Sequence, residues 1–185
     1  MQVERLEIPD VLAITPKRFG DERGFFSEVF RRDAFDKVCP GIDFVQDNHS
    51  RSADAGTVRG LHFQSQPFAQ AKLIRVVRGA VLDVAVDIRA GSPSYGRHVS
   101  CMLSADNGTQ LFVPAGFAHG LCTLEAGTEV VYKVSAYYSA ANDKGLAWDD
   151  PALGIAWPVA AGKAILSAKD HSHPRLAGLP AYFSI

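Results

Sequence analysis

Cysteine is scarce in this chain. Cys39, Cys101 and Cys122 are odd in number and show no C-x-x-C spacing, which argues against a disulfide framework and points to a reducing compartment. Charge of either sign in excess is also missing. The net charge is −1 at pH 7, so no global field draws the protein to nucleic acid or to a membrane surface. No apolar run is long enough to cross a bilayer. The first ten residues carry Glu4, Arg5, Glu7 and Asp10 and lack the pattern of a secretory signal. A cytoplasmic protein is expected, with no nucleic-acid and no membrane partner. Helical periodicity is nearly absent too. Residues 31–38 form the one convincing early helix, with Asp33 as its expected cap and Pro40 as its stop.

What remains is strand-like. The 185 residues, 47% apolar, suffice for one domain over 1–185 with a sizeable core. Short runs of β-branched and aromatic residues at 11–15, 25–30, 44–50, 58–64, 99–103, 110–113, 120–124 and 129–138 are punctuated by Gly, Pro, Asn and Asp. Pro114-Ala115-Gly116-Phe117 forms a tight turn between two of them. After Asn142 the pattern breaks into loop with short helical turns. Many short strands at regular spacing predict an all-β sandwich or small barrel of the jelly-roll kind. Residues 72–88 have the pattern of a hairpin turning at Arg78-Gly79. Strand alternation then places Lys72, Ile74 and Val76 on one face with Val81, Asp83 and Ala85, and brings Asp83 within ion-pair reach of Lys72.

The stretch around which the chain is organised is Val58-Arg59-Gly60-Leu61-His62-Phe63-Gln64. His62 points opposite to Leu61 and Phe63. Alone it is as readily a core histidine as a general base, but imidazole has the pKa a base needs near neutral pH. A carboxylate on its second nitrogen would fix the tautomer. Asp170 is the best candidate for that carboxylate, and Asp83 is the rival. Lys72 could stabilise negative charge, and Tyr132, on another strand, could donate a proton. Tyr138 shares its face and offers a flat surface for a ring. Arg23, Arg59 and His119 are candidate diphosphate ligands. Gln46 and Asn48 share one face of an extended run. Strict alternation puts Arg59 opposite His62, so both reach one site only if Gly60 hosts a bulge or the strand ends there. No His-x-His starts at His62, because Gln64 stands two residues on. His171 and His173 fall in a Pro- and Gly-rich loop and are expected to be solvated. No metal site is expected.

These residues resemble the dTDP-4-dehydrorhamnose 3,5-epimerase family, a deoxysugar-nucleotide branch of the cupins. The motifs are Phe19-Gly20-Asp21-Glu22-Arg23-Gly24-Phe25-Phe26, Gln46-Asp47-Asn48-His49-Ser50, Arg59-Gly60-Leu61-His62-Phe63-Gln64 and Ala69-Gln70-Ala71-Lys72-Leu73. They continue with Val84-Ala85-Val86-Asp87-Ile88-Arg89, Pro114-Ala115-Gly116-Phe117-Ala118-His119-Gly120, Tyr132-Lys133 and Ser167-Ala168-Lys169-Asp170. The resemblance implies a cupin jelly roll without metal or other cofactor, working as a homodimer on a dTDP-4-keto-6-deoxyhexose. It implies His62 as base, Asp170 as its partner, Tyr132 as acid, and Lys72 near the C4 oxygen. It implies Arg23, Phe26, Glu28, Gln46, Asn48, Arg59, Lys72, His119, Tyr138 and Lys169 as substrate contacts, with Phe26 and Glu28 serving the neighbour's site. Asp143 stands where the family usually has a glutamate. Three other readings stay open on the residues: an epimerase acting at one carbon, a sugar-nucleotide-binding cupin without catalysis, and a metal-dependent cupin oxygenase.

Overall fold

A computed structural model describes residues Met1–Ile185. In chain order the strands are β1 (Gln2–Arg5), β2 (Leu12–Thr15), β3 (Arg18–Asp21), β4 (Gly24–Ser27), β5 (Gln46–Ser52), β6 (Val58–Gln64), β7 (Lys72–Arg78) and β8 (Ala80–Asp87). They continue as β9 (Arg89–Ala90), β10 (His98–Ser104), β11 (Gln110–Val113), β12 (Phe117–Thr123), β13 (Thr128–Val134), β14 (Asp143–Gly145) and β15 (Phe183–Ser184). One short helix, α1 (Arg32–Phe35), separates β4 from β5. Two antiparallel sheets make the jelly-roll sandwich, in the orders β1-β2-β11-β7-β13-β5 and β10-β8-β12-β6-β14.

The main core lies between the sheets. Ile74, Val76, Leu111, Val113 and Val130 of the larger sheet meet Val81, Ala85, Val99, Leu103, Phe117 and Leu121 of the smaller. The outer faces are covered as well. Leu61, Phe63, Val84, Val86 and Ala118 pack under the C-terminal segment through Ile155, Trp157, Leu176, Tyr182 and Phe183. Leu12, Ile14, Leu73 and Phe112 pack under Phe35 and Cys39. Cover on both faces is why β8 and β12 read as near-continuous apolar runs, since a strand buried on both sides has no solvent face to alternate with.

Several expectations need correction. The run 72–88 is no hairpin: β7 pairs with β11 and β13, while β8 pairs with β10 and β12. Gly79, at φ +75°, carries the chain from one sheet to the other. The alternation still marked the inward faces correctly, because Ile74, Val76, Val81 and Ala85 share the inter-sheet core. Alternation reports which side is buried, not which strand is the partner. The helix is only Arg32–Phe35, and its N-cap is Arg31 with no side-chain cap; Asp33 pairs with Arg31 instead. The strand expected from 120 begins at Phe117, directly after the turn. The segment after Asn142 contributes a strand, β14, to the edge of the smaller sheet against β6.

The centre of the fold is irregular at one point. His62 pairs with His119 and Arg59 with Leu121, so two residues of β6, Gly60 and Leu61, stand against one of β12, Gly120. The extra residue is a bulge at Gly60, whose φ is +137° and whose peptide bond to Leu61 is cis. It cancels the parity conflict. Arg59 Nε donates to Ser52 Oγ at the end of β5 in the facing sheet (3.1 Å), and His62 faces the same interior. A Cβ on Gly60 would stand 2.5 Å from Gly120 Cα and 3.0 Å from the His119 carbonyl oxygen, both backbone atoms. Gly60→Ala is therefore expected to destabilise the protein by at least about 2 kcal/mol. Gly162→Ala, with nothing within 4 Å of its Cβ, should stay within about 0.5 kcal/mol of wild type. Equal denaturant midpoints for the two variants would contradict this account.

Candidate active site

The mouth of the sandwich holds a cavity of about 260 Å³ lined by Gln46, Asn48, His62, Phe63, Gln64, Gln70, Lys72, Tyr132, Tyr138, Asp143 and Lys169. Both sheets contribute. β6 supplies His62, and β5, β7 and β13 supply Gln46, Asn48, Lys72 and Tyr132 from the other side. A second groove of comparable size is apolar and lies against α1 and the β3–β4 hairpin, with Glu28 on its rim. It lacks the histidine–carboxylate pair that marks the first.

His62 Nε2 lies 2.5 Å from Asp170 Oδ1. The other carboxylate oxygen accepts a hydrogen bond from Ser167 Oγ at 2.8 Å. Asp170 is 3% exposed and His62 32%, so the acid is sealed behind the ring while the ring meets the cavity. Burial pushes the Asp170 pKa up. The His62 and Ser167 hydrogen bonds and the nearby histidine charges outweigh it, and the carboxyl sits below its usual range. Asp83 is not the partner of His62, nor does it pair with Lys72. β8 neighbours β12, so Asp83 Oδ1 meets His119 Nε2 at 2.7 Å. Lys72 Nζ donates to the His62 carbonyl oxygen at 3.2 Å. Burial depresses its pKa to about 8, against the pull of Asp83 and Asp143. Tyr132 is half-buried, and burial raises its pKa, while the Arg59 charge opposes that rise and Asp143 adds to it.

The remaining candidates divide into two groups. Gln46 Nε2 donates to Asn48 Oδ1 (2.8 Å), and Gln46 Oε1 accepts from the Tyr138 amide (3.1 Å). Tyr138 is exposed, and its hydroxyl donates to Asp143 Oδ2 at 3.2 Å; Lys169 Nζ pairs with the same oxygen. Asp143 thus gathers two candidates despite its short side chain. Arg59 stands beside this cavity, held by Ser52 and the Arg51 carbonyl. His119 is buried on Asp83, and burial lowers its pKa. Arg23 and Phe26 stay away: both are exposed on the β3–β4 hairpin, with Arg23 paired to Asp21. Glu28 follows that hairpin and pairs with Arg31.

Two residues that position this site, Gln64 and Ser167, were given no role in the site by the sequence. Gln64 is buried and spans three backbone groups, Phe68 O, Tyr137 O and Ser139 N, so it fixes the loop that carries Tyr138. Ser167 orients Asp170. The Ser167-x-x-Asp170 spacing is visible in the sequence, but its role depends on where the loop docks. His173 also departs from expectation. It is not solvated: its side chain is 9% exposed and lies 3.7 Å from Asp170.

Fold and cavity together define a cupin-type β-sandwich equipped to move protons on a small polar substrate. A family model described as dTDP-4-dehydrorhamnose 3,5-epimerase matches residues 5–178. A dTDP-4-dehydrorhamnose 3,5-epimerase of Sinorhizobium fredii is 57% identical over 183 residues, covering 99% of this chain and 93% of that one. The crystal structure of dTDP-6-deoxy-D-glucose-3,5-epimerase RmlC from Legionella pneumophila, in complex with dTDP-4-keto-L-rhamnose, superposes with a TM-score of 0.93 at 41% identity, covering 97% and 95% of the two chains. ChmJ, a 3′-monoepimerase from Streptomyces bikiniensis in complex with dTDP-quinovose, superposes at 0.86 with 36% identity, covering 93% and 86%. The chain belongs to the dTDP-4-dehydrorhamnose 3,5-epimerase family.

Lys72 supplies a test of the site's electrostatics that needs no substrate. Its pKa is about 8 in the folded protein against an ordinary 10.5. Between those values the unfolded chain binds a proton that the folded protein has released, so stability rises with pH across that window, and the full penalty applies below about 8. Lys72→Met is therefore expected to be more stable than wild type at pH 7, with the advantage fading by about pH 10. Denaturant unfolding at the two pH values measures it. A variant equally destabilised at both would show that the charge is not under strain.

Proposed function

We propose that this protein is an isomerase that converts dTDP-4-dehydro-6-deoxy-D-glucose to dTDP-4-dehydro-L-rhamnose by inverting C3 and C5, in dTDP-L-rhamnose biosynthesis. The observation that carries the reading is the pairing of His62 with Asp170 on one wall of a cavity that Tyr132 enters from the other sheet.

The chemistry follows from these positions. A ketone at C4 acidifies the hydrogens on C3 and C5. His62 Nε2 is engaged by Asp170, which leaves Nδ1 to take a proton from the sugar. The C–H electron pair becomes a C=C bond, and the carbonyl pair moves to the C4 oxygen as an enolate. Lys72, buried beside His62, stabilises that charge where water is excluded. Tyr132 then returns a proton to the opposite face and inverts the centre. The same pair acts at the second carbon. Tyr138 offers a ring for the thymine to stack on. Gln46, Asn48, Arg59, His119, Asp143 and Lys169 serve the sugar and diphosphate. A carboxylate that remains ionised suits a partner that must stabilise an imidazolium.

The protein works as a homodimer in the cytoplasm on this reading. The free thiols Cys39, Cys101 and Cys122 suit a reducing compartment. The exposed aromatics Phe19, Phe25 and Phe26 on the β3–β4 hairpin support a dimer in which Arg23, Phe26 and Glu28 serve the partner's cavity. The likeness to a 3′-monoepimerase favours one second reading, inversion at a single centre, which uses the same base and acid.

Proton NMR of the product formed in deuterated water separates the two readings: deuterium at both C3 and C5 is expected, and deuterium at one identifies the single-centre enzyme. His62→Ala is expected to lose about 10²–10⁴ or more of turnover while dTDP binding survives. Retained turnover at the wild-type rate would remove His62 as base. Tyr132→Phe should wash deuterium into the substrate without full inversion, and normal product at a normal rate would remove Tyr132 from the reaction.

A further inference from the structure

His173 occupies a position that the proton chemistry above does not use. Its imidazole lies face-down on β14: a Cβ added to Gly145 would stand 2.3 Å from Nε2 and 2.4 Å from both Cδ2 and Cε1. Stacking of that kind leaves the nitrogen lone pair free in the ring plane. Nε2 is nevertheless buried with no hydrogen-bond partner, in a side chain only 9% exposed. It lies 3.7 Å from Asp170 Oδ1, the oxygen that also receives His62 Nε2 at 2.5 Å. The rings of His62 and His173 meet edge to face, 5.5 Å between centroids and 78° between planes. The three donor atoms, two imidazole nitrogens and one carboxylate oxygen, all lie within 4.8 Å of one another.

We propose that His62, Asp170 and His173 form an inhibitory site for a divalent late first-row cation, of which Zn²⁺ is the expected occupant, seated behind the catalytic histidine. The inference rests on the assignment of His62 as the base. Two imidazoles and one carboxylate are a donor set that zinc takes, with metal–ligand bonds of about 2.0–2.2 Å and a fourth position left to water. Such bonds place tetrahedral ligand atoms about 3.3 Å apart. The 3.7 Å contact is already close to this spacing. The 2.5 Å contact must open, which happens when the shared proton leaves and the metal replaces it. A neighbouring glycine gives the His173 ring the room to lie flat.

The consequence for the base follows from counting protons. In the active form Nε2–H faces Asp170, and Nδ1 keeps the lone pair that attacks the substrate C–H. A cation on Nε2 displaces that proton, which moves by way of solvent to Nδ1, so the ring keeps one proton and none is released. A neutral imidazole must then carry its single proton on Nδ1, so the nitrogen facing the sugar has no lone pair. The metal silences the enzyme by fixing the wrong tautomer, without entering the sugar cavity.

Co²⁺ in place of Zn²⁺ reads the site directly, because tetrahedral cobalt absorbs visibly and its binding needs no turnover. Metal-stripped wild-type protein is expected to bind one Co²⁺ per chain and to lose solvent-deuterium exchange in proportion, with chelator restoring it. His173→Gln should bind at least about 100-fold more weakly, since loss of even an outer-shell partner costs about 10–100-fold, and its turnover should no longer respond to zinc. His171→Gln, altered at an exposed neighbour, should bind as wild type. If His173→Gln fails to fold, the histidine ring signals of the wild type decide: zinc must shift those of His62 and His173 and leave His171 unmoved. No stoichiometric binding, binding that survives in a folded His173→Gln, or binding without inhibition would each overturn the proposal. Cobalt binding in a protein that shows no deuterium exchange even when metal-stripped would instead refute the epimerase reading and leave the cation site standing.

Discussion

The hydrogen bond between His62 and Asp170 joins residues 108 positions apart, and much of the molecule is arranged so that it can form. His62 is carried by β6, an interior strand of the smaller sheet next to its edge. Asp170 arrives from a turn in the C-terminal segment, after the last strand of the sandwich proper. That segment must dock before the pair exists. It docks through apolar packing: Ile155, Trp157, Leu176, Leu179, Tyr182 and Phe183 cover the outer face of the smaller sheet, and Trp148, Trp157, Val159 and Leu166 close over Val58 and Cys122. Burial of this kind contributes about 25 cal/mol per Å² of apolar surface. It brings a carboxylate into a place where the carboxylate alone would be costly to desolvate. The polar contact is precise because an apolar lid holds it.

The same tension runs through the interior mouth. Asp83, His119 and Asp170 are all buried, and residues of these types rarely enter a protein interior unless paired. Here they form two parallel histidine–aspartate pairs, His62 with Asp170 and His119 with Asp83, borne on adjacent strands whose registers place His62 directly opposite His119. Lys72 lies close enough to feel the Asp83 charge but hydrogen-bonds the His62 carbonyl oxygen. Its depressed pKa records a cost accepted by the fold at the point where an anionic oxygen would be welcome. Sites of proton transfer are where such strain is expected.

Much of this is legible in the order of residues. Alternation at 58–64 and 72–76 marked inward faces that the sandwich confirms, and the runs 58–64 and 110–113 match their strands, whereas β1 and β3 went unseen and the runs 25–30 and 129–138 overran strands that end at Ser27 and Val134. The false hairpin has one cause. Period-two alternation says which side of a strand is buried, and in a jelly roll either sheet satisfies it, so β7 and β8 looked like partners although Gly79 carries the chain from one sheet to the other. β14 escaped because three residues are too few to show a period. His173 looked solvated because its loop composition is polar, and only Gly145, a bare backbone position on another strand, explains where the ring rests.

The sequence by itself determined the strand-rich class, the inward faces, the motif order that marks the family, and the demand for a distortion at Gly60. That last inference, with a strand end as its alternative, joined parity to the expectation that Arg59 and His62 serve one site: they differ by an odd number, and a regular strand cannot aim both at one interior. The family motif favoured Asp170 as the partner of His62, but the physical reason for the choice lies in the tertiary structure, which also gives Asp83 to His119. Asp83 and Asp170 are chemically alike, and their sequence distances from His62 carry no preference. The choice falls to sheet order, which sets β8 beside β12 and so gives Asp83 to His119, and to the docking of the C-terminal segment, which delivers Asp170 to His62.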